Sequence, residues 1–199
     1  MGNGVLFVVS APSGAGKSTL IEQIRPFFPD MLYSISCTTR TPRGSEINGV
    51  HYYFVGRDEF FAMVERGEFL EWKEVHTNLY GTPAAPVMEA LAQGRRMILD
   101  IDVYGAFEVF KRIPESVGIF VAVGDISVLE ARLRQRGLDS EESLRIRLRN
   151  SPGEMRLGEG FTYQIVNDVL ETAVQELVAI IRKESDLRGM PCRSQGDAT

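Results

Sequence analysis

The sequence predicts an α/β protein: a parallel sheet covered by helices on both faces. Apolar, Val- and Ile-rich runs of strand length recur at 5–9, 97–101 and 117–123, as strands buried on both faces require. Stretches with helical spacing of apolar residues separate them, and that alternation is the pattern of a covered parallel sheet. From about residue 35 to 75 the pattern changes to short alternating runs punctuated by Pro, Gly and Asn-Gly, which predicts a small mixed insertion at the sheet's C-terminal edge.

The first run, Val5-Leu6-Phe7-Val8-Val9, leads through Ser10 into Ala11-Pro12-Ser13-Gly14-Ala15-Gly16-Lys17-Ser18-Thr19, and a run carrying Leu20, Ile21 and Ile24 follows. Strand, glycine-rich loop and helix are the setting of a phosphate-binding P-loop. Backbone N–H groups converge at a helix N-terminus, where the helix dipole favours an anion. Lys17 adds a mobile charge for the β- and γ-phosphates, and the Ser18 hydroxyl can coordinate Mg²⁺. Ala11 stands where the general motif has Gly, but Gly14 and Gly16 keep close approach to phosphate available. The bland alternative is a small-residue turn that binds nothing.

The first helix is expected over about residues 17–27, stopping before Pro29, and 33–36 alternate like a strand. Residues 37–49 read as loop or hairpin and 50–55 as a strand. Asp58-Glu59 opens a helix that Gly67 stops; 69–75 alternate as a further strand. Thr82 and Pro83 read as N-cap and first turn of a helix ending at Gly94. A buried strand over 97–102 ends in two acids, and a helix over 103–112 and a strand over 117–123 follow. Helical spacing over 126–136 stops at Gly137, and Asp139 with Glu142 forms a capping box. That next helix is expected to break at Ser151-Pro152-Gly153-Glu154, with Ser151 capping a restart. Residues 164–166 make a last strand. Leu170, Ala173, Val174, Leu177, Val178 and Ile181 form the apolar stripe of a final helix, and a polar tail from Met190 is expected to fray.

A chain of 199 residues fits one compact domain with a sizeable core. The net charge of −5 argues against nonspecific nucleic-acid binding, which needs a basic face. No apolar run reaches membrane-spanning length, and no signal peptide is expected. The two cysteines, Cys37 and Cys192, lie outside any CxxC pattern; this suits a reducing, cytoplasmic setting. His51 and His76 show no metal-ligand spacing. Monomer and homo-oligomer are equally compatible with the sequence.

Arg40 and Arg43 flank a Thr-Pro turn and can fork a phosphate, with the Tyr52 phenol nearby; alone, they also fit a solvated basic loop. Glu71, if it faces a pocket, can accept the N1–H and an N2–H of guanine while Ser36 and Thr82 hydroxyls serve O6 or N7. Adenine, an acceptor at N1, would oppose the carboxylate with no hydrogen between them. Asp100 and Asp102 close a core strand, a place suited to holding Mg²⁺ through water or orienting an acceptor nucleotide; Gly105 allows close backbone approach. The segment 132–149 holds Arg132, Arg134, Arg136, Arg145, Arg147 and Arg149 without a single Lys. These fit exposed helix residues paired with Glu130, Glu141 and Glu142, or bidentate capture of polyphosphate by a closing flap.

Taken together, Ala11–Thr19, Ser36-Cys-Thr-Thr-Arg-Thr-Pro-Arg43, Gly67-Glu-Phe-Leu-Glu-Trp72, Tyr80-Gly-Thr82, Leu99-Asp-Ile-Asp102 and Ile165-Val-Asn-Asp168 resemble the guanylate kinase family over nearly the whole chain. The resemblance implies a P-loop NTPase-type core (about 1–35, 80–125 and 161–199), a mixed α+β GMP-binding insertion (about 36–79) and a helical lid (about 126–160). It implies phosphotransfer from ATP to GMP with Mg²⁺. By position, Ser36, Glu71, Thr82 and Asp102 look like guanine-edge contacts, with Asp100 and Gly105 beside them. Arg40, Arg43, Tyr52 and Tyr80 look like the GMP-phosphate clamp. Lys17, Arg40, Arg132, Arg136 and Arg147 are the implied catalytic cations, and Asn167 joins the P-loop on the ATP side. Tyr104 stands where the family usually has Gln, Val169 replaces a common second Asp, and Pro152-Gly153 interrupts what is normally a continuous helix. The alternative function is a catalytically inactive binding module of the same fold, which typically lacks the P-loop and the arginines; a third reading keeps the kinase and changes the acceptor.

Overall fold

The computed structural model describes residues 4–75, 77–136 and 141–190. In chain order the strands are β1 (Val5–Ser10), β2 (Leu32–Tyr33), β3 (Cys37–Thr38), β4 (Tyr53–Phe54), β5 (Phe69–Val75), β6 (Asn78–Pro83), β7 (Arg96–Asp100), β8 (Val117–Ala122) and β9 (Tyr163–Val166). The helices are α1 (Lys17–Ile24), α2 (Arg57–Glu65), α3 (Ala84–Ala92), α4 (Val103–Arg112), α5 (Ile126–Arg136), α6 (Glu141–Leu157) and α7 (Leu170–Leu187).

The main sheet has the order β2-β7-β1-β8-β9, and every pairing in it is parallel. Strand side chains alternate between faces, and β1 uses both. Val5, Phe7 and Val9 join Leu20, Ile24, Leu177 and Ile181 of α1 and α7 in one core. Leu6 and Val8 join Leu99, Val109 and Phe120 in the other, under α3 and α4. With both faces dry, the central strand must be apolar throughout, which is why its sequence reads so plainly. A second sheet, β4-β3-β6-β5, is mixed, parallel between β3 and β4 and antiparallel elsewhere. It closes over its own small core of Cys37, Phe60, Phe69 and Leu79. No helix among the described residues is long and apolar enough to cross a membrane.

Several expected elements differ, each for a local reason. The strand expected at 33–36 ends at Tyr33; after Ser34 N–H donates to the Ile98 carbonyl the chain leaves for the second sheet. Cys37–Thr38, expected in a loop, is a buried strand of that sheet. Turn bonds from Gly49 N–H to Tyr52 O and from Val50 N–H to Ile47 O shorten the strand expected at 50–55 to Tyr53–Phe54. Thr82 is no helix cap. It lies within β6, a strand the sequence did not announce, and Pro83, the last residue of that strand, occupies the cap position of α3. Asp102 lies beyond the end of β7, not in it, and caps α4.

The helix expected to break near Pro152 instead runs unbroken as α6, with Pro152 inside. An interior proline costs on the order of 3 kcal/mol, but packing on either side offsets it. Leu144 and Ser151 are buried, Leu148 packs against Ala15, Val123 and Leu129, and Met155 and Leu157 pack on the sheet core. The Ser151 hydroxyl donates to the Arg147 carbonyl at 2.8 Å, so it serves the turn already formed and starts no new one. Gly137, Asp139, His76 and Cys192 lie outside the described residues.

Candidate functional site

Five parallel strands deliver their C-terminal ends to one rim, and a cleft of about 1240 Å³ opens there. All of Ala11, Pro12, Ser13, Gly14, Ala15, Gly16, Lys17, Ser18 and Thr19 line it, together with Ser36, Tyr52, Asp100, Asp102, Arg132, Arg147 and Asn167. Residues from seven separated stretches therefore share one cavity.

The loop after β1 turns through left-handed φ values of 91° at Gly14 and 86° at Gly16, a conformation in which side chains are strained. The Ala15 carbonyl is gripped from behind by Asn167 Nδ2 at 2.7 Å and Arg132 Nη1 at 3.3 Å, and Arg132 Nη2 also donates to the Asn167 carbonyl at 2.8 Å. Asn167 is itself fixed by its backbone N–H to Ala122 O. The loop is thus held in shape without help from a ligand. A Cβ on Gly16 would sit 2.7 Å from Asn167 Nδ2. Gly16→Ala is therefore expected to weaken the binding of a polyphosphate ligand at this loop about tenfold, the equivalent of ~1–2 kcal/mol of left-handed strain; titrating a nucleoside triphosphate into parent and variant checks this.

Lys17 Nζ donates to Ile101 O at 2.7 Å and pairs with Asp100 Oδ1 at 2.5 Å; the Ser18 hydroxyl donates to Asp100 Oδ2 at 3.1 Å. One carboxylate at the end of β7 thus holds the two P-loop side chains that face phosphate chemistry. From α6, Arg147 Nη1 donates to Ser13 Oγ at 2.7 Å, tying that helix to the loop. Arg136 ends α5, and its side chain lies outside the described residues.

On the second sheet, the Arg40 guanidinium is buried and forks onto Glu46 with two bonds of 2.9 Å. It also lies 5.4 Å from the centre of the Tyr52 ring, which meets Tyr80 edge-on. The Arg40 hydrogen bonds pull the Glu46 carboxyl down to about 2, and Glu46 in turn raises Arg40 further above its ordinary range. Glu46 also accepts the Arg43 backbone N–H at 2.7 Å, so it shapes the turn that carries both arginines. The Arg43 side chain is exposed, and neither Arg40, Arg43 nor Tyr80 lines the cleft itself.

Glu71 sits on β5, buried at 8 % exposure, and accepts the Thr82 hydroxyl at 2.5 Å across the β5–β6 ladder. Burial raises its carboxyl above the ordinary range; the Thr82 hydrogen bond lowers it, Asp102 raises it and Lys73 lowers it. Gly105 of α4 packs so closely that a Cβ there would lie 2.8 Å from Glu71 Oε2. Asp102 Oδ1 accepts the N–H groups of Tyr104 at 3.0 Å and Gly105 at 3.2 Å. Glu71 and Gly105 line a smaller pocket of about 170 Å³, to which Lys73, on the rim of the main cleft, also belongs.

Three residues of this site escaped the sequence reading. Glu46 had one signal, an acid a few positions beyond two loop arginines. Lys73 had none, because its partner Asp102 is remote in sequence. Glu154 stood as the last residue of the expected helix break. It lines the cleft, where burial raises its carboxyl and the Ser13 backbone N–H and the charges of Lys73 and Lys17 lower it.

Residues 3–184 match the family model described as guanylate kinase. A guanylate kinase of Carboxydothermus hydrogenoformans is 50% identical over 184 residues, covering 92% of this chain and 90% of that protein. One from Syntrophotalea carbinolica is 47% identical over 182 residues, covering 92% and 87%. The crystal structure of guanylate kinase from Anaplasma phagocytophilum superposes with a TM-score of 0.74 at 30% identity, covering 97% of this chain and 90% of that one. The relatives span the core, the second sheet and the α5–α6 segment alike, so the likeness is not that of a P-loop alone: this chain belongs to the guanylate kinase family.

Proposed function

We infer that the chain transfers the γ-phosphate of ATP to GMP, giving ADP and GDP. The observation that carries this is that one cleft is lined both by the P-loop and by Ser36, Tyr52 and Asp102. Family membership supplies the chemistry. ATP belongs at the P-loop and Asn167. GMP belongs on the second sheet, its base against Ser36, Glu71, Thr82 and Asp102 beside Asp100 and Gly105, and its phosphate near Arg40, Arg43, Tyr52 and Tyr80. In this reading, the chain has three working parts: the parallel core, the acceptor insertion around 36–79 and a lid around 126–160 that carries Arg132, Arg136 and Arg147.

A phosphate oxygen of GMP attacks the γ-phosphorus, and the bond to the β–γ bridging oxygen breaks, leaving on ADP. The attacking oxygen is already anionic, so no general base is needed. The protein's work is positioning and charge neutralisation. Lys17 exchanges Asp100 and the Ile101 carbonyl for phosphate oxygens. Arg40, released from Glu46, has a fork of the right shape for the acceptor phosphate. Among the described residues no cluster of three or more His, Cys, Asp or Glu side chains could cage a metal. The Ser18 hydroxyl beside the Asp100 carboxylate is instead the sparse, hard-oxygen set that suits Mg²⁺ shared with nucleotide phosphates. When bound there, Mg²⁺ neutralises charge on the donor phosphates. The buried thiol of Cys37, raised to about 11, is at home in a reducing cytoplasm.

A coupled assay for ADP tests this with GMP, dGMP, AMP and UMP as acceptors. Turnover is expected with the guanine nucleotides and not with AMP or UMP, and chelation of Mg²⁺ is expected to abolish it. A folded protein with no turnover would favour the inactive binding module instead.

A further inference from the structure

Lys73 links the second sheet to the start of α4. It lies two residues after Glu71 on β5, and so on the same face of the strand. It lines both the main cleft and the smaller pocket next to it. Its Nζ is 2.8 Å from Asp102 Oδ2 and 5.9 Å from the centre of the Tyr104 ring. The other oxygen of Asp102 is already held by the backbone N–H groups of Tyr104 and Gly105. The carboxylate therefore has one oxygen fixed by the start of α4 and the other by a side chain from the opposite sheet.

We propose that Lys73 is a positioning residue for guanine recognition: it fixes the plane of the Asp102 carboxylate so that Oδ2 meets the 2-amino group, and thereby favours GMP over purine nucleotides without that group. The proposal rests on the reading that Glu71 and Asp102 face the guanine edge. Guanine offers N1–H and two N2–H hydrogens there. Glu71 has one oxygen on Thr82, and its carboxylate takes N1–H and the nearer N2–H, which leaves the second N2–H for Asp102. Oδ2 has lone pairs for both an ammonium and an amino hydrogen. Held by Oδ1 alone, the carboxylate can turn about a torsion that is intrinsically broad. Lys73 also sets a positive charge among Glu71, Asp102 and Glu154, which would otherwise repel one another. It acts through Asp102 and touches no reacting atom.

The test uses initial rates for Lys73→Met and Lys73→Arg with ATP, GMP and IMP, the purine nucleotide that lacks the 2-amino group. Lys73→Met is expected to raise the KM for GMP about tenfold and to leave those for IMP and ATP within about twofold. Lys73→Arg, which keeps a cation beside Asp102, should recover most of the GMP affinity. In an Asp102→Asn background, Lys73→Met should add little, because the group it positions is already altered. An unchanged KM for GMP, equal losses for GMP and IMP, or an equal loss for ATP each overturns the proposal; the last would make Lys73 a phosphate counterion. Glu71→Gln run in parallel separates the two readings. If Glu71→Gln impairs GMP use and Lys73→Met does not, only the Lys73 proposal fails. If neither impairs it, the base-site reading fails and takes the proposal with it.

Discussion

Replacing Lys17 with alanine is expected to lower kcat about a thousandfold, the scale seen when a preorganised charge at a developing anion is lost. In the proposed mechanism Lys17 is the P-loop cation that reaches the donor phosphates, and its present partners fit that role. It is held by one carboxylate oxygen and one carbonyl at the rim of the cleft, both of which a phosphate can displace. The fold should survive the change. Asp100 is 39 % exposed at its side chain, so water can solvate the carboxylate that loses its partner, and Ser18 still donates to it. The cost is then that of a partly exposed ion pair, ~1 kcal/mol or less. The decisive measurement is kcat at saturating ATP and GMP alongside a thermal melt. A near-normal kcat in a folded variant would remove Lys17 from the mechanism. A lost kcat with an unchanged melting temperature places the effect on chemistry, not stability.

The contrast between what was legible in the sequence and what was not follows contact range. β1, β7, β8 and α7 were legible because their apolar pattern is set by the two dry faces of one sheet, a constraint written into consecutive residues. The P-loop was legible because its Gly, Lys and Ser act within a few positions of one another. β6 was not. Asn78–Pro83 has a polar start, a glycine and a proline, and it extends because β5 and β3 lie on either side of it. Thr82 illustrates the cost of reading locally: beside a proline it resembles a cap, but its hydroxyl belongs to Glu71, a partner across the ladder. Pro152 shows the same lesson reversed, since burial of Leu144 and Ser151 and the packing of Leu148 outweigh the local preference to break. The pairings Lys73–Asp102 and Arg147–Ser13 join segments far apart in sequence, where no pattern marks them.

Glu71→Gln separates recognition from stability most sharply. Its expected effect is a fall of about a hundredfold in kcat/KM for GMP, with the KM for ATP within about twofold. The amide keeps one acceptor oxygen, which can still take the Thr82 hydroxyl. In the proposed base site it turns two N–H donors toward the donor edge of guanine, so hydrogen would face hydrogen where the carboxylate would accept. Adenine, with an acceptor at N1, loses its repulsion, so AMP use should hold or rise. Stability should move the other way from GMP use. Burial raises the Glu71 carboxyl, and a raised acid binds more proton in the folded state than in the unfolded one. Stability then falls as pH climbs from the ordinary carboxylate range through the raised folded value, and at neutral pH the ionised group is a net cost. Glutamine removes that cost, so the variant should melt no lower than the parent at pH 7. The pH profile supplies a further readout. In the parent, kcat/KM for GMP should drop as the medium is acidified through the raised value, because protonated Glu71 keeps a hydrogen pointing at N1–H or at Thr82. In Glu71→Gln that acid limb should disappear. Unchanged GMP kinetics in the variant would detach Glu71 from the base, whereas a hundredfold loss in a protein that melts as high as its parent leaves recognition as the one function the carboxylate can be serving.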